Sequence, residues 1–178
     1  MKLSKMIIDA DICIKIGGTP KYRYVEILFP AIAEKIYIHK VVYDEIMAPA
    51  CAKEQVDVLI QRGILEMIDE EQLNDIEKSI YSATFASLAS VMINPKKPKK
   101  NAGEVSSLAM AKTKSIAYFG TDEKDLQVII DEKLNNGIDN IYCIRIIDII
   151  QMIRDRKLEG LKRREAKALW RLSGKFSE

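Results

Sequence analysis

The sequence contains little histidine, little cysteine and no long apolar segment. Its single histidine, His39, leaves little material for a mechanism built on imidazole chemistry. The 3 cysteines are odd in number, widely spaced and set among apolar neighbours, which is typical of reduced core residues rather than of disulfides or a zinc site. No run approaches the roughly 20 uncharged residues of a membrane-spanning helix, and Asp9 and Asp11 interrupt the first apolar run where a signal peptide must be uncharged. These absences predict a cytoplasmic chain without membrane contact.

The sequence also lacks a strong net charge. The formal charge is +2, so nucleic-acid binding would depend on local basic clusters and not on a global positive field. With 178 residues, of which 48% are hydrophobic, the chain can bury one sizeable core. We expect one main domain over residues 1–157, followed by a basic C-terminal helical extension over residues 158–178.

Short apolar runs alternate with segments of helical periodicity. This alternation predicts an α/β fold, a three-layer α/β/α sandwich with a mainly parallel sheet of four or five strands. The predicted strands are 6–8, 36–42, 64–68, 116–120 and 141–144. The main predicted helices are 22–35, 70–93, 104–115, 122–134, 146–157 and 161–172. In addition, Asp44 is expected to cap a short helix that carries Glu45. The helix over 70–93 is expected to bury a stripe of Leu73, Ile76, Ile80, Ala83 and Leu88.

Acidic residues follow three of the predicted strands. Asp9, Glu45 and Asp122 come after strand ends, and the carboxyl ends of parallel strands meet at one edge of a sheet. Glu104 begins a helix, whose N-terminal dipole tolerates a carboxylate. Four neighbouring carboxylates raise one another's pKa values unless a divalent cation neutralises them. Mg²⁺ and Mn²⁺ prefer oxygen ligands, so the pattern predicts a Mg²⁺ or Mn²⁺ site suited to phosphodiester hydrolysis.

Four segments resemble one nuclease family in order and spacing. They are IIDADICI, VVYDEI, NAGEVSSLAMAKTKS and YFGTDEKDL, and they carry Asp9, Glu45, Glu104 and Asp122. Over residues 6–150 the chain resembles the PIN-domain nucleases, which include the ribonuclease toxins of toxin-antitoxin pairs. The resemblance implies a metal-dependent endoribonuclease in which these four carboxylates bind the metal and catalyse cleavage of RNA, or of single-stranded nucleic acid generally. It also implies a small antitoxin protein and a homodimer as expected partners.

The fourth acid is not fixed by the resemblance. The family places this acid either at the strand end or one residue later, so Asp122 is the first choice, while Glu123 or Asp125 could replace it as a metal ligand. Asp11 stands where the family often has a small polar residue. It could cap a helix, orient a ligand or serve as a further ligand.

Candidate nucleic-acid contacts lie close to these acids in the sequence. Thr121 could bind a phosphate or only cap the following helix. The basic helix near the C-terminus could bind RNA, dock on a partner or pack on its own domain. The loop before Glu104 carries four lysines that could contact a phosphate backbone or lie in solvent: Lys96, Lys97, Lys99 and Lys100.

Two other functions compete with a nuclease. DADIC resembles the opening Asp-x-Asp of haloacid-dehalogenase-like phosphatases, and GTDEKD resembles their later acidic motif. Asp9 would then be a covalent nucleophile and Asp11 an acid-base group, although the glycine and threonine usual after the second aspartate are missing. The second competitor is a non-catalytic PIN-like scaffold that binds RNA or a protein.

Overall fold

A five-stranded parallel sheet forms the centre of the protein, in the order β3-β2-β1-β4-β5. The computed structural model describes residues 2–174. The strands are β1 (Leu3–Ile8), β2 (Ala33–His39), β3 (Leu65–Ile68), β4 (Tyr118–Gly120) and β5 (Tyr142–Ile144). The helices are α1 (Ala10–Gly17), α2 (Tyr24–Ile32), α3 (Lys40–Glu45), α4 (Ala50–Gln61), α5 (Asp75–Met92), α6 (Ala102–Thr113), α7 (Leu126–Lys133), α8 (Ile146–Arg154) and α9 (Arg163–Leu172), with a short 3-10 helix at Glu70–Gln72. The predicted α/β fold is confirmed, and the sheet is entirely parallel.

Alternate residues of β1 fill the two cores on opposite faces of the sheet. Met6 and Ile8 belong to the core beneath α1, α2, α4, α8 and α9, whereas Ile7 belongs to the core beneath α5, α6 and α7. Successive side chains of a strand point to opposite faces, so an apolar run such as Met6–Ile8 is stable only where both faces are covered. This burial makes β1 the fixed centre of a three-layer sandwich.

The strand order places a topological switch point beside β1. This strand pairs with β2 on one side and with β4 on the other, with Ile8 opposite both Ile38 and Gly120. In open α/β sheets, ligands bind outside the carboxyl ends of the strands at such a point. Asp9 and Thr121 are the first residues after two of these strands, so both lie at this position.

The second strand and the helix after it begin earlier than the sequence pattern predicts. The prediction of a helix over 22–35 and a strand over 36–42 is wrong at that boundary, because pairing with β1 begins at Ala33 and β2 ends at His39. Asp44 does not cap a helix. Instead, His39 Nδ1 accepts a hydrogen bond from Val41 N at 3.2 Å and caps α3, which puts Glu45 at the helix end.

The buried stripe of α5 also differs from the prediction. Ile76 is 75% exposed and Ile80 is 43% exposed, while Tyr81 and Leu88 are buried. The physical reason is that α5 packs against α6 along one narrow side, so the other apolar positions face solvent.

The basic C-terminal helix packs on its own domain. Ala166 and Leu169 of α9 are buried in the same core as α8, while Lys167 and Arg171 are exposed. The last part of the predicted extension, residues 175–178, lies outside the described residues. Among residues 2–174, no helix has the length and apolar character needed to span a membrane.

His39 is expected to make the stability of the protein depend on pH. Burial lowers the pKa of this imidazole below 6.5, although Glu70 and Asp69 oppose the shift. The unfolded chain therefore binds the proton more readily, so the His39 contribution is intact above pH 6.5 and is lost as the pH falls toward the lowered folded value. Denaturant titrations of the parent and of His39→Asn, which keeps a capping side chain, should give a stability difference that changes in favour of the variant on acidification. A difference independent of pH between 5 and 8 would contradict this prediction.

Candidate metal-dependent active site

Asp9 is the most deeply buried of the predicted acids. Its side chain is 2% exposed, its Oδ1 accepts a hydrogen bond from Ala10 N at 2.7 Å, and its Oδ2 lies 3.4 Å from the Thr121 hydroxyl. Burial raises the pKa of the Asp9 carboxyl well above its usual value, and Glu104 raises it further. Asp11 and Glu45 act in the same direction. Asp9 is therefore a buried acid surrounded by like charges.

Glu45 and Glu104 meet across the first turn of α6. The Gly103 backbone donates a hydrogen bond to the Glu45 carboxylate, which lowers the pKa of that group, but burial and the charge of Glu104 raise it by more. A Cβ atom added to Gly103 would lie 2.4 Å from Glu45 Oε2, so only glycine leaves room for this arrangement. The pKa of Glu104 is raised by burial, and also by Glu123 and Asp11, while Lys100 lowers it.

Asp122 is held by a lysine that the motifs do not include. Lys15 Nζ lies 2.9 Å from Asp122 Oδ2 and 3.0 Å from Asp11 Oδ2. The other Asp122 oxygen, Oδ1, lies 3.4 Å from Ile146 N at the start of α8. Although burial opposes it, hydrogen bonds to Asp122 and Asp11 raise the pKa of Lys15, which keeps it cationic. Lys15 thus links α1 to the end of β4.

Two adjoining clefts open beside these acids. The first, of about 340 Å³, contains Lys100, Glu104, Glu123 and Asp125 in its lining. The second, of about 410 Å³, is named the acid cleft here and is lined by Lys15, Asp122, Glu123, Lys124, Asp125, Arg145 and Ser173. Because Glu123 and Asp125 line both clefts, the three candidates for the fourth acid all face one continuous surface.

The sequence-predicted residues are brought together unequally. Glu104 raises the pKa of both Asp9 and Glu45, and Glu45 raises that of Asp9, whereas Asp122 is paired with Lys15. Of the loop lysines, Lys100 lines the first cleft together with Glu104. Lys96, Lys97 and Lys99 are exposed and do not line it. Thr121 is fully buried. Its hydroxyl contacts Asp9 and accepts a hydrogen bond from Glu123 N at 3.3 Å, so it helps to orient the acids from within the protein.

Known proteins do not decide what this arrangement does. No protein family, curated protein or solved structure matches this chain. Within residues 2–174, no three histidine, cysteine, aspartate or glutamate side chains are already positioned as a metal site. The raised pKa values of Asp9, Glu45 and Glu104 nevertheless fit a divalent cation, since the attraction of a cation would offset their mutual repulsion.

Three functional candidates were missed by the sequence motifs. Lys15 follows Asp11 by four residues, and this spacing within a helix is a signal that a charge-pair search would find. Gly103 precedes Glu104, but its closeness to Glu45 depends on the tertiary structure. Arg145 lines the acid cleft, and within the described residues its Nε and Nη2 atoms are buried without hydrogen-bond partners. No local pattern in the sequence distinguishes Arg145.

Proposed function

We propose that the protein is a Mg²⁺- or Mn²⁺-dependent nuclease of the PIN type that cleaves RNA. The observation that carries this proposal is the set of acids around buried Asp9, whose pKa is raised by burial and by Glu104, Asp11 and Glu45. Several carboxylates gathered around a buried one are costly unless a cation neutralises them. Their position at the switch point of the sheet, where ligands bind, adds support.

In this proposal each residue of the site has a distinct role. Asp9, Glu45 and Glu104 would hold the cation, with Asp122 or Glu123 as the fourth acid. A divalent cation bound there supplies Lewis-acid polarisation of water for attack on a phosphodiester. Thr121 and Gly103 would orient Asp9 and Glu45 through their hydrogen bonds, and Lys15 would fix Asp122. Arg145 lines the acid cleft and has two buried nitrogens without hydrogen-bond partners, which would need to turn outward to bind a substrate phosphate.

The direct test is cleavage of a labelled single-stranded RNA. We expect cleavage with Mn²⁺ or Mg²⁺, none after chelation, and none by Glu104→Gln at equal protein concentration. An equal rate in excess chelator would overturn the proposal. Binding of RNA without cleavage under every metal condition would instead support the scaffold function.

Metal binding should stabilise the folded protein. At a free Mn²⁺ concentration about 100 times its dissociation constant, the free energy of unfolding should rise by about 2.7 kcal/mol. Glu104→Gln should give a much smaller increase, because it removes one of the charges that attract the cation. Thermal unfolding across a Mn²⁺ titration measures the effect. Equal increases in the parent and the variant would place the metal elsewhere.

The alternative phosphatase function gives Asp9 a different chemical role. Asp9 would be a covalent nucleophile, but the glycine and threonine that usually follow the second aspartate of that motif are replaced by buried Ile12 and Cys13. We therefore expect an aryl phosphate to remain intact under conditions that cleave RNA. Hydrolysis of the aryl phosphate that is lost in Asp9→Asn would favour the phosphatase.

A further inference from the structure

A further groove lies beside α9. It has a volume of about 660 Å³ and is named the tyrosine groove here. One wall comes from the segment between α1 and α2 together with α2 itself, and the other wall is α9. The residues used below are Tyr22, Tyr24, Arg164, Lys167, Arg171 and Leu172.

Two stacked tyrosines form a flat aromatic surface in this groove. The ring centroids of Tyr22 and Tyr24 are 5.4 Å apart and their planes differ by 23°. Tyr24 is buried at 8% exposure, whereas Tyr22 is 46% exposed. A buried ring therefore supports an exposed one, and an exposed ring of this kind accepts a nucleobase irrespective of its sequence, since every base has a π-face.

One basic side chain lies over the exposed ring, and others line the groove. Lys21 Nζ lies 5.2 Å from the centre of the Tyr22 ring. Lys167 and Arg171, four residues apart on α9, are exposed, and neither forms an ion pair within residues 2–174. The acid in the lining, Glu165, is buried and paired with Arg164. The groove thus presents cations next to an aromatic face, which complements the phosphates and bases of a single strand.

The tyrosine groove and the acid cleft are lined by consecutive residues at the C-terminal end of α9. Arg171 and Leu172 line the groove, and the next residue, Ser173, lines the acid cleft with Arg145. The 8 residues of α1, which begins directly after Asp9 and ends before the groove, span about 12 Å. A strand that keeps the rise of about 3.4 Å per nucleotide of a stacked duplex covers this length with roughly three or four nucleotides, and an extended single strand needs fewer.

We propose that the tyrosine groove binds a single-stranded segment of nucleic acid a few nucleotides away from the phosphodiester that the acids around Asp9 would cleave. One base stacks on Tyr22, and the backbone contacts Lys167 and Arg171 before it passes Arg145. The assignment of this strand as the substrate rests on the proposed function. The affinity of the groove for a single strand does not, because stacking and phosphate contacts need no metal.

Binding in chelator separates this groove from the chemistry of the acids. Fluorescence anisotropy should be recorded for labelled single-stranded RNA, single-stranded DNA and the matching duplex in EDTA. We expect both single strands to bind more tightly than the duplex, with Tyr22→Ala weakening binding about tenfold. Arg171→Ala should reduce the slope of log affinity against log salt by about one. Tyr142→Ala and Arg154→Ala are matched controls, because both side chains are exposed outside the groove, and they should change affinity less than twofold.

Three results would overturn the proposal. They are undetectable binding of both single strands, duplex binding as tight as single-strand binding, and parental affinity in both Tyr22→Ala and Arg171→Ala. Because Arg171 is exposed, its variant remains informative if Tyr22→Ala fails to fold. A labelled dinucleotide, whose one phosphodiester leaves no further nucleotide to reach Tyr22, should be cleaved equally by the parent and by Tyr22→Ala. If single strands bind the groove but no variant or metal affects cleavage, the nuclease proposal fails and the groove assignment stands.

Discussion

The Asp9→Asn protein is expected to lose metal-dependent RNA cleavage and to become more stable without metal. Activity should fall by more than about a hundredfold, because removal of even an outer-shell partner of a metal site costs about 10- to 100-fold. The metal-free protein should unfold at a higher temperature, since the charged Asp9 carboxylate is buried near Glu104, Asp11 and Glu45. The amide oxygen can still accept from Ala10 N, and its NH₂ group can donate to the Thr121 hydroxyl.

Opposite changes in activity and stability distinguish a functional site from a structural one. Steady-state cleavage and thermal unfolding in EDTA should be measured on the same preparations. Asp44→Asn is the matched control, because Asp44 is exposed and lies one residue before Glu45. It should behave like the parent in both assays. Destabilisation of metal-free Asp9→Asn would mean that Asp9 mainly serves the fold through its cap of α1, and retained cleavage would remove it from the site.

Gly103→Ala is expected to preserve the fold while reducing metal-dependent activity by at least about tenfold. Alanine favours a helix by about 1 kcal/mol over glycine, so α6 should tolerate the change. The new Cβ would lie 2.4 Å from Glu45 Oε2, and the carboxylate must move because it is the mobile end of its side chain. The loss should therefore come from a displaced Glu45 and not from unfolding.

A double-mutant cycle tests this cause. Glu45→Gln and Gly103→Ala should each lower activity, and the double variant should be little worse than either single variant, since both changes act through one carboxylate. Circular dichroism and thermal unfolding establish that the three proteins are folded. Independent, multiplicative losses would show that Gly103 acts by another route.

The central part of the fold could be predicted from the sequence because its signals are local. Three apolar residues followed by a charge mark β1 and Asp9, and a three-residue run of this kind is unstable outside a covered sheet. The end of β2 could not be placed, because Val41 and Val42 are as β-prone as the residues before them. Their helical state depends on the register of β2 with β1 and on the capping of α3 by His39.

The candidate site could be predicted only in part for a related reason. Asp9, Asp122 and Glu104 follow strand ends or begin a helix, which one sequence reveals. Lys15 pairs with Asp122, 107 positions away, and the space that Gly103 leaves for Glu45 exists only after α3 packs beside α6. Such contacts between distant segments cannot be predicted from the periodicity of apolar residues.

The central position of β1 also determines when the site can form during synthesis. Asp9 leaves the ribosome well before its hydrogen-bond partner Thr121, which follows 112 positions later. A nascent chain that still lacks β4 therefore has neither the second neighbour of β1 nor the acids of the acid cleft. For the nuclease proposed above, this order implies that the site assembles only after most of the domain has emerged, so a nascent chain would not yet cleave the RNA beside it.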